Sequence, residues 1–186
     1  MKFIKDEDFI RGNCPMTKEE ARILSIAKLN VNENSNVLDI GAGTGSISIQ
    51  LAKICSNGKI VSIEKNKEAV DIINSNIEKF KINNIDLIDK DIIDTLPIIN
   101  EKFDGIFIGG SDGNIKEIIQ ESKELLNPNG TMVLNFITLS NLYSAIETLK
   151  EYKYEINITQ VAISKSKGQN YMMVANNPIF IVCAKK

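Results

Sequence analysis

Histidine is absent from the 186-residue chain, so mechanisms that need an imidazole base, a Ser-His or Cys-His pair, or a histidine metal ligand are excluded. Much of hydrolase chemistry goes with them. Cysteine is scarce: Cys14, Cys55 and Cys183 are odd in number and form no C-x-x-C. That excludes a disulfide framework and a thiolate zinc site, and it fits a reducing cytosol. An excess of positive charge is lacking too, because 22 Lys and Arg nearly cancel 24 Asp and Glu, so no nucleic-acid partner is expected. Met1 to Phe9 contains no apolar core of a signal peptide, and no later stretch approaches the roughly 18 apolar residues of a membrane span. The expectation is a soluble, cytoplasmic protein with no membrane partner and no bound metal.

What is present suffices for a substantial core, since 43% of the chain is apolar, and the length suits one domain over residues 1–186. Residues 1–16 read as an N-terminal lead-in near the active site. Lys outnumbers Arg 20 to 2, and Asn and Ile are abundant; against that background single Asn and Lys residues carry little weight.

Strand-like and helix-like periods alternate along the chain, the pattern of an α/β protein. Thr17-Lys18-Glu19-Glu20 has capping-box spacing, with Thr17 as N-cap and Glu20 at N3, and predicts a helix over Lys18–Leu29 with Ile23, Leu24 and Ala27 on one face. Strands are expected at Asn36–Ile40, Lys59–Glu64, from Asp86 towards Asp91, at Phe103–Ile108 and at Thr131–Phe136. Helices are expected at Ser46–Ile54, Glu68–Lys81, Ile115–Leu126 and Ser140–Tyr152. Asn127-Pro128-Asn129-Gly130 reads as a turn. Two β-rich runs, Glu155–Ser164 and Ile179–Ala184, follow one another with Lys165–Asn177 as connection, which predicts an antiparallel pair added to a parallel sheet.

In an open α/β sheet a ligand sits beyond the carboxyl ends of the strands. After the first strand stands Asp39-Ile40-Gly41-Ala42-Gly43-Thr44-Gly45. Its alternate glycines let the backbone turn sharply and approach a ligand, and the helix behind it offers N–H groups. Glu64, 23 residues after Gly41 at the end of the second strand, is placed to accept hydrogen bonds from both hydroxyls of a ribose. Asp91, with Ile92 after it, could meet the amine of an adenine, although its neighbours Asp89, Lys90 and Asp94 equally suit a solvated loop. Asp39 has two readings, as an organiser of the glycine turn or as a cofactor contact. A dinucleotide fingerprint is disfavoured, because the third glycine comes one residue early and Ser46 stands where a close-packing Gly or Ala belongs. A phosphate-binding P-loop is excluded by the missing Gly-Lys-Ser/Thr.

The Asp-x-Gly-x-Gly-x-Gly form resembles motif I of the class I S-adenosylmethionine methyltransferases. The likeness implies their Rossmann-like fold, a mostly parallel seven-stranded sheet with an antiparallel C-terminal strand and helices on both faces. It also implies S-adenosylmethionine as cofactor, held by Thr17, Gly41, Ala42, Gly43, Thr44, Gly45, Glu64, Asp91 and Ile92. Amine methyltransferases often carry Asn/Asp-Pro-Pro-Tyr after the fourth strand. This chain reads Phe107-Ile108-Gly109-Gly110-Ser111-Asp112-Gly113, with no aromatic clamp and with room for a bulky planar substrate.

Further segments occur in one order: Asp8 to Gly12, Pro15 to Glu20, Asp39 to Ser48, Phe107 to Ser111, Ile137 to Leu142, and Asn177-Pro178. Together they resemble the decarboxylating cobalt-precorrin carbon-15 methyltransferases of anaerobic cobalamin biosynthesis, over nearly the whole chain. That family implies a cobalt-precorrin tetrapyrrole as substrate and a homotetramer. With no imidazole, metal or reactive thiol evident, Gly109, Gly110, Ser111, Asn135 and Thr138, together with Thr17, are the candidates for a polar frame around the reacting arm. The chain departs from the family at Asp112, commonly glycine, and at Gln50, often glutamate; Gln50 reads as an ordinary helix position. Asp112 adds negative charge near the expected mouth for a polyanion, and Arg11, Lys18, Lys165 and Lys167 are candidates to offset it. Two other readings stay open: another class I methyltransferase of small molecules or proteins, and a non-catalytic module that binds S-adenosylmethionine or a dinucleotide.

Overall fold

The computed structural model describes residues 3–111 and 113–186; Asp112, with the charge expected of it, lies outside the described residues. In chain order the elements are α1 (Glu19–Leu29), β1 (Val37–Ile40), α2 (Ser46–Ile54), β2 (Ile60–Glu64), α3 (Lys67–Phe80), β3 (Ile85–Asp89) and the single-turn α4 (Ile92–Thr95). Then come β4 (Phe103–Ile108), α5 (Ile115–Leu125), β5 (Leu126–Phe136), α6 (Leu139–Glu151), β6 (Glu155–Val161), β7 (Ser164–Lys167), β8 (Met172–Ala175) and β9 (Ile179–Lys185). Among the described residues, seven strands form one sheet in the order β3-β2-β1-β4-β5-β9-β6, and β7 pairs with β8 in a second. Every pairing from β3 across to β5 is parallel, whereas β9 runs antiparallel to both β5 and β6. The C-terminal strand is thus the one inserted against the grain, as expected of a class I methyltransferase fold.

The strand sequences explain why both faces are covered. Side chains alternate across a strand. Leu38, Ile40, Ile106, Ile108, Met132 and Leu134 join the cluster under α4, α5 and α6, and Val37, Phe107 and Val133 join the one under α1 and α2. A strand buried on both faces reads as a continuous apolar run, which Val37–Ile40 and Phe103–Ile108 nearly are.

Four local expectations need correction. Thr17 does not cap α1: Lys18 occupies the N-cap position with no side-chain cap bond. The Thr17 carbonyl instead accepts from Arg22 Nη1 at 2.9 Å, and Glu20 reaches away to Lys165 Nζ at 2.6 Å. The buried face of α1 is Ala21, Arg22, Ser25, Ile26 and Leu29, while Leu24 is exposed. Asn127–Gly130 lies inside β5 as an irregularity: Leu126 pairs with Phe103 and Thr131 with Gly105, so six residues of β5 oppose three of β4, and Asn129 takes a left-handed φ of 68°. Lys165–Asn177 is no plain connection, because β7 and β8 make a hairpin exposed on both faces.

The lead-in is fastened by buried polar side chains. Arg22, wholly buried, donates to the Ile4 carbonyl at 2.5 Å and to Asp6 at 3.2 Å, and its guanidinium lies over the Phe9 ring. Burial lowers its pKa, opposed by Asp6. Gln50, also wholly buried, accepts the Ile4 N–H at 2.8 Å, so it is not an indifferent helix position. Asn76 on α3 bonds Ile10 through both N–H and carbonyl and also donates to the Thr44 carbonyl at 3.0 Å, tying the lead-in to the glycine turn. Among the described residues, no helix is long and apolar enough to cross a membrane.

Candidate active site

A cavity of about 460 Å³ opens at the carboxyl ends of β1, β2 and β4, within the range of small-ligand sites. Its floor is Gly41, Ala42 and Gly43, its far wall Glu64 and Ile92, and its near wall residues 13–17 of the lead-in. Glycine is required in this floor. A Cβ on Gly41 would stand 2.8 Å from the Gly110 nitrogen, and one on Gly43 would stand 3.0 Å from the Pro15 carbonyl oxygen; both also have positive φ. Two backbone segments therefore pack directly on the turn, one from each side.

Glu64 organises the same corner. Its Oε2 accepts the Gly43 N–H at 2.8 Å, and Oε1 accepts the N–H groups of Lys65 and Asn66, both at 2.9 Å. A carboxylate oxygen accepts two hydrogen bonds, so Oε2 keeps a place for a hydroxyl in the cavity. Asn66 Oδ1 then caps α3 by accepting the Ala69 N–H at 3.1 Å.

The structure brings Thr17, Gly41, Ala42, Gly43, Glu64 and Ile92 together around this cavity, as the sequence suggested. It sets three others apart. Thr44 is buried and its carbonyl is used by Asn76. Gly45 is the left-handed N-cap of α2. Asp91 does not line the cavity: it caps α4 by accepting the Ile93 N–H at 2.9 Å and pairs with Lys65 at 3.1 Å, and these two bonds hold its carboxyl below its ordinary pKa. Asp39 also stays out of the cavity. Fully buried, it accepts from the Ser48 hydroxyl, which in turn accepts from Ser62 at 2.9 Å. Burial pushes its pKa up to about 7, helped by the charge of Glu64 and opposed by the Ser48 bond.

A second, outer cavity of about 240 Å³ adjoins the first and contains Gly109, Gly110, Ser111, Asn135 and Thr138. The two share Gly109, Gly110, Asn135 and Ile137. Ile137 in its lining is about 70% exposed, and so are Leu139 and Tyr143 in the first turns of α6, the helix that follows Thr138. Of the four basic residues considered for a polyanion, Lys165 is neutralised by Glu20. Sequence reasoning missed Ser25, wholly buried on α1, which bonds the Asn135 amide across 110 residues of chain; no local signal could have paired them. It also missed Cys14, which lines the deeper cavity with its thiol pKa raised by burial and by Glu68 and Glu64.

Comparison with known proteins is consistent with this architecture. The chain is 38% identical over 98% of its length, and 97% of the relative's, to a protein of Sulfurisphaera tokodaii described as a probable decarboxylating cobalt-precorrin-6B C(15)-methyltransferase. It is 35% identical to the Salmonella typhimurium cobalt-precorrin-6B C(15)-methyltransferase (decarboxylating), over 98% of this chain and 96% of that one. The crystal structure of a precorrin-6y C5,15-methyltransferase from Geobacter metallireducens superposes with a TM-score of 0.94 at 34% identity, covering 99% of this chain and 97% of that one. The family model described as the precorrin methyltransferase domain matches residues 8–186, and on that match the chain belongs to the precorrin methyltransferase family.

Proposed function

We propose that the protein methylates carbon 15 of a cobalt-precorrin from S-adenosylmethionine and couples this to loss of the acetate carboxyl at carbon 12, in cobalamin biosynthesis. The observation that carries the reading is the pair of adjoining cavities at the strand ends. One is lined by a glycine turn and a ribose-competent carboxylate, the other is open to a large planar molecule, and the full-length relatives bear names of that activity.

The residues present suit the methyl donor. Gly41–Gly43 leave the floor bare of side chains, Oε2 of Glu64 has a lone pair for a ribose hydroxyl, and Ile92 offers an apolar surface for a purine. Thr17 closes the cavity from the lead-in side, and Asp91 acts at one remove by capping the turn that carries Ile92. When bound, the donor supplies a sulfonium methyl, already an activated electrophile.

A tetrapyrrole exceeds the outer cavity, so the ring lies across the mouth, its apolar face on Ile137, Leu139 and Tyr143. Its reacting edge is framed by Gly109, Gly110, Ser111, Asn135 and Thr138. No imidazole is needed: orientation and exclusion of water from the acetate carboxylate let the ring itself take the electrons. The protein works without a bound metal of its own, in the cytoplasm, as a homotetramer, and residues 1–186 act as one domain. Mass spectrometry of cobalt-precorrin-6B incubated with the protein and S-adenosylmethionine tests the reading. A product with one methyl gained and one carbon dioxide lost supports it; no tetrapyrrole turnover, with donor binding intact, points to another methyl acceptor or a binding module.

A further inference from the structure

Of the four residues common to both cavities, Gly109, Gly110, Asn135 and Ile137, Asn135 alone has a polar side chain. Asn135 therefore stands where the two adjoining cavities meet. Ser25 on α1 is wholly buried and lines neither cavity, yet its Oγ lies 3.1 Å from Asn135 Oδ1 and 2.9 Å from Nδ2. A hydroxyl both donates and accepts, so Ser25 satisfies one lone pair and one N–H of the amide and holds its plane. One N–H and one lone pair are left for a ligand.

We infer that Ser25 is a positioning residue for the loss of carbon dioxide: it fixes the Asn135 amide so that the remaining N–H meets the acetate carboxylate of the substrate. The inference rests on the tetrapyrrole reading above. In that reaction the carbon–carbon bond to the carboxylate breaks, carbon dioxide leaves and the electron pair enters the conjugated ring. The ring bonds the transferred methyl at carbon 15, and a proton shift within the ring completes the methyl group left at carbon 12. The pair can enter the ring only if the breaking bond stands perpendicular to the ring plane, which makes the angle at which the carboxylate is held a rate-determining geometry. An amide free to rotate would hold the carboxylate without fixing that angle.

The test reads, for each variant, the ratio of methylated ring that keeps its carboxyl to methylated ring that has lost it. Ser25→Ala should raise this ratio about tenfold, the weight of one hydrogen bond, with S-adenosylhomocysteine affinity unchanged within about twofold. Ser25→Cys, which keeps the volume, serves if the alanine variant does not fold. In an Asn135→Ala background the Ser25 substitution should change the ratio by less than about twofold, because a residue acting through Asn135 has nothing left to position. A fully coupled Ser25→Ala enzyme, or an equal effect in both backgrounds, overturns the inference while leaving the tetrapyrrole reading intact. Absence of methyl transfer by the wild-type protein overturns both.

Discussion

The Glu64 carboxylate accepts the Gly43 N–H at 2.8 Å, so the end of β2 and the glycine turn after β1 are held together by the side chain that faces the cavity. A ligand hydroxyl arriving at Glu64 therefore meets an acceptor already fixed in place by three backbone N–H groups.

Glu64→Ala should weaken S-adenosylmethionine binding by about 1.5 to 3 kcal/mol, the scale of hydrogen bonds to a charged group. It should also loosen the turn, since three N–H groups lose their acceptor; Glu64→Gln, which keeps an oxygen for some of them, should lose affinity with a smaller fall in melting temperature. Calorimetry checks both, and unchanged affinity in the two variants removes Glu64 from the site.

Thr17→Ala should cost less than about 0.5 kcal/mol of stability, the range of a surface change, not the ~1 kcal/mol of a lost N-cap. Thr17 contributes its carbonyl, not its hydroxyl, to Arg22, and alanine keeps that carbonyl. Chemical denaturation decides between the two. Donor affinity, measured on the same protein, reports whether the hydroxyl contributes to the cavity that Thr17 lines.

The parts of the molecule that follow local rules were legible in the sequence: the strand ends, the glycine turn, α2 at Ser46–Ile54, and Glu64. Glycine and apolar period act within a few residues. The face of α1 was not, because Arg22 and Ser25 are polar and are buried only through partners at Ile4 and Asn135. Asn76 was discounted with the other Asn residues on composition and Gln50 was read as an ordinary helix position, yet the worth of both lies in the remote backbone they hold. The β7–β8 hairpin escaped because neither face is buried, so Ser164-Lys165-Ser166-Lys167 shows no apolar alternation to read.

Asp39 gives a pH dependence of unusual sign. Its pKa is about 7 in the folded protein against 3.8 as the ordinary value. Between those values the unfolded chain has released the proton and the native state still holds it, so stability falls as pH rises through this window and levels off above it. The full effect is on the order of 4 kcal/mol. Asp91 and Glu20, whose pKa values are lowered, act in the opposite direction near the ordinary carboxylate range, so the comparison must be with Asp39→Asn. Denaturant unfolding from pH 5 to pH 8 should show a decline in the wild type that the variant lacks. Parallel profiles would mean that Asp39 is ionised throughout.

The last expectation concerns the lead-in, which supplies one wall of the deeper cavity yet belongs to no strand of the sheet. Its seating depends on Arg22, whose guanidinium reaches Ile4, Asp6 and Thr17 at once. Arg22→Met keeps much of the apolar stem and removes all three bonds. If the lead-in stayed docked, two carbonyls would be left unpaired at about 1 to 3 kcal/mol each, so the cheaper outcome is for the segment to lift off and rehydrate them. The sheet and its two apolar clusters do not need it. Arg22→Met should therefore be cut by protease within residues 4–17 at least tenfold faster, a factor that corresponds to only about 1.4 kcal/mol in the opening equilibrium. Donor affinity should fall with it, since residues 13–17 leave the cavity wall, while the main unfolding transition moves far less. An unchanged cleavage pattern together with unchanged affinity would show that Gln50 and Asn76 seat the segment without Arg22.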